Sequence, residues 1–584
     1  YLLRDEALAN QPDAPHEENP GFFRRFHHGF ERRFEAFRDR YVRGLDWALG
    51  HRKSVFGAFA VAVVAAGLLV PHVGRDFFPA VDAGQIRMHV TAPAGTRIEE
   101  TEKRFSAVAA AVRELIPEQD RGTITDIIGV PDGINLAVTD SNIISSADGE
   151  MLVGLTEHRS KGTYAYVKVL RAELPKRFPD LAFHFEAADI VTQILNFGVP
   201  APIDVQVTGF DRAATYAAAQ AVAARFRQVP GAVDVHIHQV LDAPRLHVTV
   251  DQTRVGEQGL TQRDVANNVL VATANSFAVT PNYWVDPKSG LKYAVAVQTP
   301  KHLIGDVQDL QNINLPGKDG KQILLGDTAT VDRRTTAVVA NHNNIQPTFN
   351  VRADVQGTDL GSVAAALEKI VAEERAKLPP GATIVVAGQV QSMTGAFRDL
   401  GTGIVFAAVL VYLLMVVNFQ SWTDPFIILT ALGGAGVGIV FALFATGTTF
   451  NVPSLMGAIM AVGVATANSI LMVTFANGRR HEAGDTAVEA ALAAGKTRLR
   501  PVLMTALAMV VGMLPMSLGL GEGGEQNAPL GRAVIGGLVV ATVATLFFVP
   551  VVYSVLRRKL PHPKEDPELQ AIPDYHGHRA SVVG

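Results

Sequence analysis

The sequence predicts a membrane bundle of six helices joined to one large external α+β segment, and three observations lead there. A mean hydropathy of +0.18 and 18% charged residues over 584 positions are too apolar for an ordinary soluble chain and too long for one compact domain. Six apolar runs approach the length that crosses a bilayer, at 54–70, 401–418, 425–445, 453–476, 502–520 and 533–556. Between the first two runs, residues 71–399 alternate strand-like and helix-like stretches.

The composition excludes several classes of function. There is no cysteine, which removes disulfides, thiolate metal sites and a cysteine nucleophile. A formal net charge of -4 gives no nucleic-acid reading, because the basic residues cluster locally. The chain opens at Tyr1 without a Met or a signal-peptide pattern, so it is expected to belong to a longer protein.

Taken in order, NQPDAPHEENP is a polar loop. GFFRRFHHGFERRFEAFRDRYVRGL then spaces Phe22, Phe26, Phe30, Phe34, Phe37, Tyr41 and Leu45 by three or four, with arginines between. That pattern predicts a basic amphipathic helix lying on the lipids of the inner membrane surface, with a helix that packs on a soluble partner as the other reading. The first span follows, flanked by His51, Arg52 and Lys53, which can snorkel. Orientation comes from the short loops. Arg52 and Lys53, the group Arg479, Arg480, Lys496, Arg498 and Arg500, and the group Arg557, Arg558 and Lys559 fall on one side of six alternating spans. The loops at 447–451 and 521–531 carry no Lys or Arg. The basic side is cytoplasmic, which places both ends inside and the long segment outside.

Outside, QIRMHVTAP, LAFHFEA, PIDVQVTGF, TFNVRADV and TIVVAGQV read as strands. TRIEETEKRFSAVAAAVRELI, RAATYAAAQAVAARFRQV and GSVAAALEKIVAEERAKL read as helices, with a further helix over about 253–274. VDVHIHQV and RLHVTV are expected to pair with each other. AVTPNYWVDPKSGLKYAVAVQTP and NINLPGKDGKQILLGDTATV read as hairpins of an inserted domain. Repeated β-α-β units with antiparallel pairs predict split βαβ, ferredoxin-like modules.

Local motifs add a resemblance. FFPAVDAGQIRMHVTAPAGT follows the first span, VDVHIHQVLDAPRLHVTVDQTRVGEQGLTQRDV runs into the insert, and NFQSWTDPFIIL, GVATANSILMV and RLRPVLMTALAMVVGMLPM lie in the later spans. Together, over Phe22–Lys559, they resemble the second half of a resistance, nodulation and division (RND) efflux permease. The resemblance implies a cytoplasmic loop at 1–20, an interfacial helix at 21–50 and a first membrane helix at 51–72. It then implies a periplasmic porter module at 73–198, a second module in two parts at 199–248 and 336–398 around a docking insert at 249–335, five membrane helices at 399–559 and a tail at 560–584. It further implies a bacterial inner-membrane location and a homotrimer that meets a periplasmic adaptor and an outer-membrane channel. It implies as partner an N-terminal six-span half, this chain being expected to be either a fragment or one subunit of a split permease; no cofactor is expected beyond a proton gradient.

In that family the proton relay uses two Asp of the first half, with a Lys, an Arg and a Thr of the second. The matching positions here are Ala467 for the Lys, Arg498 for the Arg and Thr505 for the Thr. A mid-membrane Lys costs about 2.5–3.5 kcal/mol, a cost that Ala467 avoids. The spans as delimited hold no Asp, Glu, Lys or His. Asn468, Thr505 and Arg498 are therefore expected to face carboxylates of the missing half, while Thr466 and Ser469 are expected either to share in that polar patch or to mediate helix packing. Arg498 also fits the positive-inside rule by itself.

Other constellations receive plainer readings. Gly433, Gly434, Gly436 and Gly438 fall inside a span, where close helix packing explains them better than a phosphate loop. His236, His238 and His247 suit an exposed strand face better than a metal site. Met88, Met151 and Met393 are scattered through the external segment, so amphiphilic organic substrates are expected rather than metals, with Phe77, Phe78, Phe197 and Phe277 as candidate path residues. Two other readings stand beside an efflux permease: a membrane receptor or regulator that binds a ligand without transport, and a protein-translocation accessory with the same span pattern. An enzyme is disfavoured, since no nucleophile, metal or phosphate constellation is present.

Overall fold

A computed structural model describes residues 22–129, 142–196, 199–317, 320–521 and 523–558. The chain enters through α1 (Phe22–Gly50) and crosses in α2 (Arg52–Val73). Five further long helices follow the external segment: α12 (Gln389–Phe419), α13 (Thr423–Ala445), α14 (Val452–Glu482), α15 (Ala487–Ser517) and α16 (Ala528–Val543). The last continues through a π-helical turn, Ala544–Phe548, into α17 (Val549–Leu556). Among the described residues six helices are long and apolar enough to cross a membrane, with α16 to α17 taken as one.

The bundle is centred on α13 and α16, which approach closely because their contact is built from small residues. A Cβ on Gly438 would stand 2.1 Å from the Gly536 carbonyl oxygen, and one on Gly434 2.6 Å from Ala544 Cβ. The glycine run is thus a packing surface at those two positions, whereas Gly436 faces open space. Helix α1 does more than lie along a surface. Tyr41, Leu45, Ala48 and Leu49 are buried in one core with α15 and the π turn, and Arg500 sits 5.6 Å over the Phe34 ring.

The first external module runs β1 (Gln85–Thr91), α3 (Ile98–Leu115), β2 (Arg121–Ile128), β3 (Asp148–Leu155), α4 (Thr163–Arg177), β4 (Ala182–Glu186). Its antiparallel sheet has the order β2-β3-β1-β4. Alternate residues Ile86, Met88 and Val90 face a core shared with Phe105, Val108 and Leu170. A short α5 (Ile190–Leu195) leads to the second module: β5 (Ile203–Thr208), α6 (Arg212–Phe226), β6 (Ala232–Ile237), then, after an insertion, β13 (Asn341–Asn343), β14 (Gln346–Val355), α11 (Leu360–Arg375) and β15 (Thr383–Gly388). Here β14 pairs with both β6 and β5, and β15 closes on β5. Apart from the small β13 hairpin strand, the order repeats that of the first module.

The insertion hangs from a ribbon of β7 (Ala243–Val250) and β12 (Ala329–Thr336), in which Ala243 stands opposite Thr336. It contains α7 (Gln252–Glu257), α8 (Gln262–Thr273), the hairpin β8–β9 (Tyr283–Val285, Lys292–Ala294), α9 (Val307–Gln311), the hairpin β10–β11 (Asn314–Pro316, Gln322–Leu324) and α10 (Leu325–Thr328). Val255, Val265, Leu310, Leu315 and Leu325 give it a core of its own. Two expectations are corrected. The expected pair VDVHIHQV and RLHVTV does not form, because β6 bonds to β14 and β7 to β12. The expected single helix at 253–274 is two: Gly259, at φ +72°, takes the left-handed turn that ends α7, and Thr261 caps α8.

Candidate functional site: the open membrane face and the junction above it

Helix α14 turns two unlike faces to its surroundings. Asn468 (2% exposed), Thr466 and Ser469 are buried inside the bundle, while Ala467 is exposed. Thr505 on α15 is exposed as well, its hydroxyl bonded only to the Pro501 carbonyl of its own helix at 2.9 Å. Gly463 and Gly512 also meet open space, so α14 and α15 together present a stretch of small residues beside apolar Met504, Leu507 and Val511. The matched Lys and Thr positions therefore share an open face, and the amide and its two hydroxyl neighbours point away from it. Arg498 is half-buried, with its guanidinium 4.9 Å over the Phe475 ring and a buried Nε that finds no hydrogen-bond partner among the described residues.

The inward polar residues have local work. Thr466 donates to the Val462 carbonyl at 2.8 Å and Ser469 to that of Ala465 at 2.9 Å. Ser469 also reaches the Thr545 hydroxyl at 3.0 Å, inside the π turn. A π turn leaves a backbone carbonyl out of the ordinary ladder, and the Tyr41 hydroxyl donates to Leu546 O at 2.9 Å. Sequence reading missed this link because its members lie on α1, α14 and the last span.

A charge cluster closes the end of the bundle near α1. Asp424, 2% exposed, opens α13, where the helix dipole favours a carboxylate. Arg557 donates to both of its oxygens at 2.8 and 2.5 Å, Asn477 donates to it at 2.9 Å, and the Tyr553 hydroxyl donates to Asn477 at 2.7 Å. The apolar runs stopped one residue short of both charges, which is why the spans read as uncharged.

On the opposite side a strap after the first span joins membrane to modules. Asp76 N donates to Phe450 O and Phe450 N to Gly74 O, between the strap and the α13–α14 loop. The strap also holds the start of α11: Leu360 N donates to the Asp76 carboxylate at 2.7 Å, Arg75 N to that of Asp359 at 2.9 Å, and Gly361 N to Arg75 O at 2.7 Å. Burial raises the Asp76 carboxyl above its ordinary pKa, and the Leu360 amide opposes the rise. Asp82, further along the strap, caps α4 through Thr163 and pairs with Arg159 at 2.8 Å.

Of the described candidate path residues, Phe77 and Phe78 lie together and Phe277 stands in a different part of the fold. Phe77 and Phe78 meet edge to face at 4.9 Å on the strap, where Phe77 packs on the core of the second module. Phe277 stacks edge-on against Tyr283 in the insert, and Phe197 lies outside the described residues. His236 and His238 do not lie on an exposed strand face as expected; they are part-buried between the modules, whereas His247 is exposed opposite Asp332 in the ribbon. Among the described residues no group of three His, Asp or Glu is arranged to hold a metal ion.

Comparison with known proteins fits this arrangement. The model of the AcrB/AcrD/AcrF family matches residues 7–557. The chain belongs to that family of RND permeases. It is 28% identical over 545 residues to Protein HelA of Legionella pneumophila, covering 89% of this chain and 49% of HelA. It is 25% identical over 528 residues to the cation efflux system protein CzcA of Alcaligenes sp. (strain CT14), covering 89% and 48%. A crystal structure of a heavy metal efflux pump superimposes with a TM-score of 0.76 at 24% identity, over 90% of this chain and 52% of that one, and shows the common fold. The chain spans about half the length of the curated relatives it matches.

Proposed function

We propose that this chain forms the C-terminal half of a proton-driven RND export permease in the bacterial inner membrane, a secondary active transporter rather than an enzyme. The observation that carries the reading is the open face of α14 and α15, on which Ala467 and Thr505 lie exposed among small and apolar residues. Small residues let a second six-span block approach closely, and that block supplies the titrating carboxylates. With no cation at position 467, desolvation favours the protonated acids, so charge compensation comes from the proton itself. Arg498 and Thr505 flank the relay, while Asn468, Thr466 and Ser469 hold α14 in register.

Protonation in the bundle reaches the modules through the strap, because residues 74–77 hydrogen-bond to the loop before α14 and to the start of α11. Both modules read as split βαβ, ferredoxin-like units, supported by their shared strand order. The insert is read as the docking domain. Its β8–β9 hairpin exposes Tyr283, Trp284 and Tyr293, side chains enriched at interfaces, which suits a homotrimer meeting a periplasmic adaptor and an outer-membrane channel. The loop segment is periplasmic and both ends of this chain are cytoplasmic, as the placement of Lys and Arg supports.

The cargo we infer is an amphiphilic organic molecule, supported by the burial of Met88, Met151 and Met393 as core side chains. A second reading, a divalent cation, is favoured by the names of relatives such as the cation efflux protein CzcA. One experiment tests the proposal and divides the cargo classes. Cells expressing the permease together with its companion block are loaded with a fluorescent amphiphile or challenged with zinc and cobalt, with and without a protonophore. Dye efflux that collapses with the proton gradient, and that Ala467→Lys changes at least tenfold, is expected. Metal tolerance without dye efflux would select the cation reading. Ligand binding without gradient-dependent flux of either cargo would defeat the transporter.

A further inference from the structure

The two external modules meet along β4 and β6, and this boundary is lined by imidazoles. His184 on β4 and His236 on β6 stack across it, ring centroids 3.7 Å apart and planes inclined by 16°. His89 lies opposite His184 in the β1–β4 register, its ring centroid 6.3 Å from that of His184, and is 7% exposed. His238, just past β6, receives Arg352 Nη1 at 3.1 Å. In-plane lone pairs of two parallel stacked rings run side by side, so the pair does not converge on one metal ion. Among the described residues the buried Nδ1 atoms of His89 and His184 find no hydrogen-bond partner.

The groups facing these rings come from every strand around them. β1 contributes Arg87, 2.9 Å from Glu150 of β3 and 3.3 Å from Glu186 of β4. β3 also contributes Asp148, 4.0 Å from His89, a weak opposing attraction. Asn142 donates to Glu186 at 2.9 Å and accepts from Arg352 of β14 at 3.3 Å. Beside them Arg171 of α4 reaches across the boundary to Asp234 at 2.7 Å and Asp354 at 3.0 Å. The boundary is thus closed by neutral ring stacking, by the Phe185 amide donating to Asp234 at 3.0 Å, and by two cross-module arginines, Arg171 and Arg352. The nearest fixed charges to His238 and His184 include that of Arg352.

We propose that this histidine-lined boundary is an acid-released latch: the modules stay closed while the stacked imidazoles are neutral and part when protons enter them. The inference does not depend on the cargo or on proton coupling through the bundle. Burial, then neighbouring imidazoles and Arg352, hold His184 down to about 3, and His236 well below its ordinary value of 6.5. Burial and Arg352 do the same to His238, also at about 3. A released imidazole regains a value near 6.5, so closure is fully favoured above that pH and is lost as pH falls from 6.5 toward 3. Two boundary carboxyls act in the opposite sense, as does the Asp148 carboxyl facing His89, also pushed up by burial. Burial pushes Glu186 up to about 7 and Asp354 to about 6, so each retains a proton when closed and favours closure as pH falls. The three boundary imidazoles, with His89 behind them also held down to about 3 by burial, outnumber these three carboxyls, and acid opens the latch.

The test uses the intact protein in lipid nanodiscs. Because the chain has no cysteine, spin labels can be placed at Lys168→Cys on α4 and Ala224→Cys on α6, both exposed positions on opposite modules. The expected result is a second, longer distance that grows at least about threefold between pH 8 and pH 5, with its midpoint below 6.5. The pair His184→Phe and His236→Phe keeps aromatic stacking but removes two of the three titrating boundary rings, and is expected to abolish the acid-induced population. If circular dichroism shows that this variant misfolds, His238→Gln is expected to lower the midpoint instead. A distance distribution that does not change with pH in the unmodified protein overturns the proposal. So does an acid response that survives the removal of the rings.

Discussion

At the scale of single residues, the polar groups in the membrane divide by what surrounds them. Asp424 and Arg557 are held in a hydrogen-bonded pair with Asn477 and Ser421, so neither charge is left alone in a dry setting. Removing one partner strands the other. Asp424→Leu is expected to destabilise by about 3–5 kcal/mol in detergent thermal unfolding, while Asp424→Leu with Arg557→Leu recovers most of the loss. Ser469 and Thr545 are neutral, and their contact is worth less. Thr545→Val is expected to cost about 0.6–1.7 kcal/mol by the same measurement, with no greater loss when Ser469→Ala is added. Neither pair was visible in the sequence. Asp424 and Arg557 sit 133 positions apart at the edges of different apolar runs, and periodicity says nothing about which edges meet.

At the scale of elements, helix α1 shows how far pattern carries. The spacing of its aromatics gave a helix with one apolar face, and a helix it is. What that face covers was decided by a gap on α15: Gly495 leaves room for Leu45 and Tyr41, and a Cβ there would stand 2.4 Å from Leu45 Cδ2. Gly495→Val is therefore expected to free α1, read as faster proteolysis at the exposed arginines Arg32 and Arg33. Leu45→Ala, which only leaves a cavity, costs about 2–5 kcal/mol and keeps α1 in place. Strands β6 and β7 teach the reverse lesson. Both were legible as strands, and adjacency suggested that they pair. Each instead bonds to a later strand, β6 to β14 beyond the insert and β7 to β12 at its end, since this pairing closes two separate sheets around two cores.

For the whole molecule, the insert enters and leaves at one place, because Ala243 and Thr336 face each other in the ribbon. Replacing 243–336 by a short Gly-Ser linker is expected to leave the second module folded, its β5–β14–β15 amides keeping full hydrogen-exchange protection. If the insert is the docking domain, the same deletion abolishes assembly with the adaptor and channel. The strap ties the opposite end. A Cβ on Gly361 would stand 2.8 Å from Arg75 Cβ and 3.0 Å from its carbonyl oxygen. Gly361→Val is expected to uncouple the modules from the bundle: both remain folded by circular dichroism, while transport falls at least tenfold.

By itself the sequence determined the number of spans, most of the helices and strands and the alternation of the modules, because each rests on local periodicity of apolar residues along the chain. The tertiary structure alone decided which face of α14 stays open, which carboxylate meets which guanidinium, and that His184 would stack on His236. Those outcomes depend on close approach between segments far apart in sequence, where a missing Cβ or a π turn shifts the contact by an ångström or two and so selects the partner.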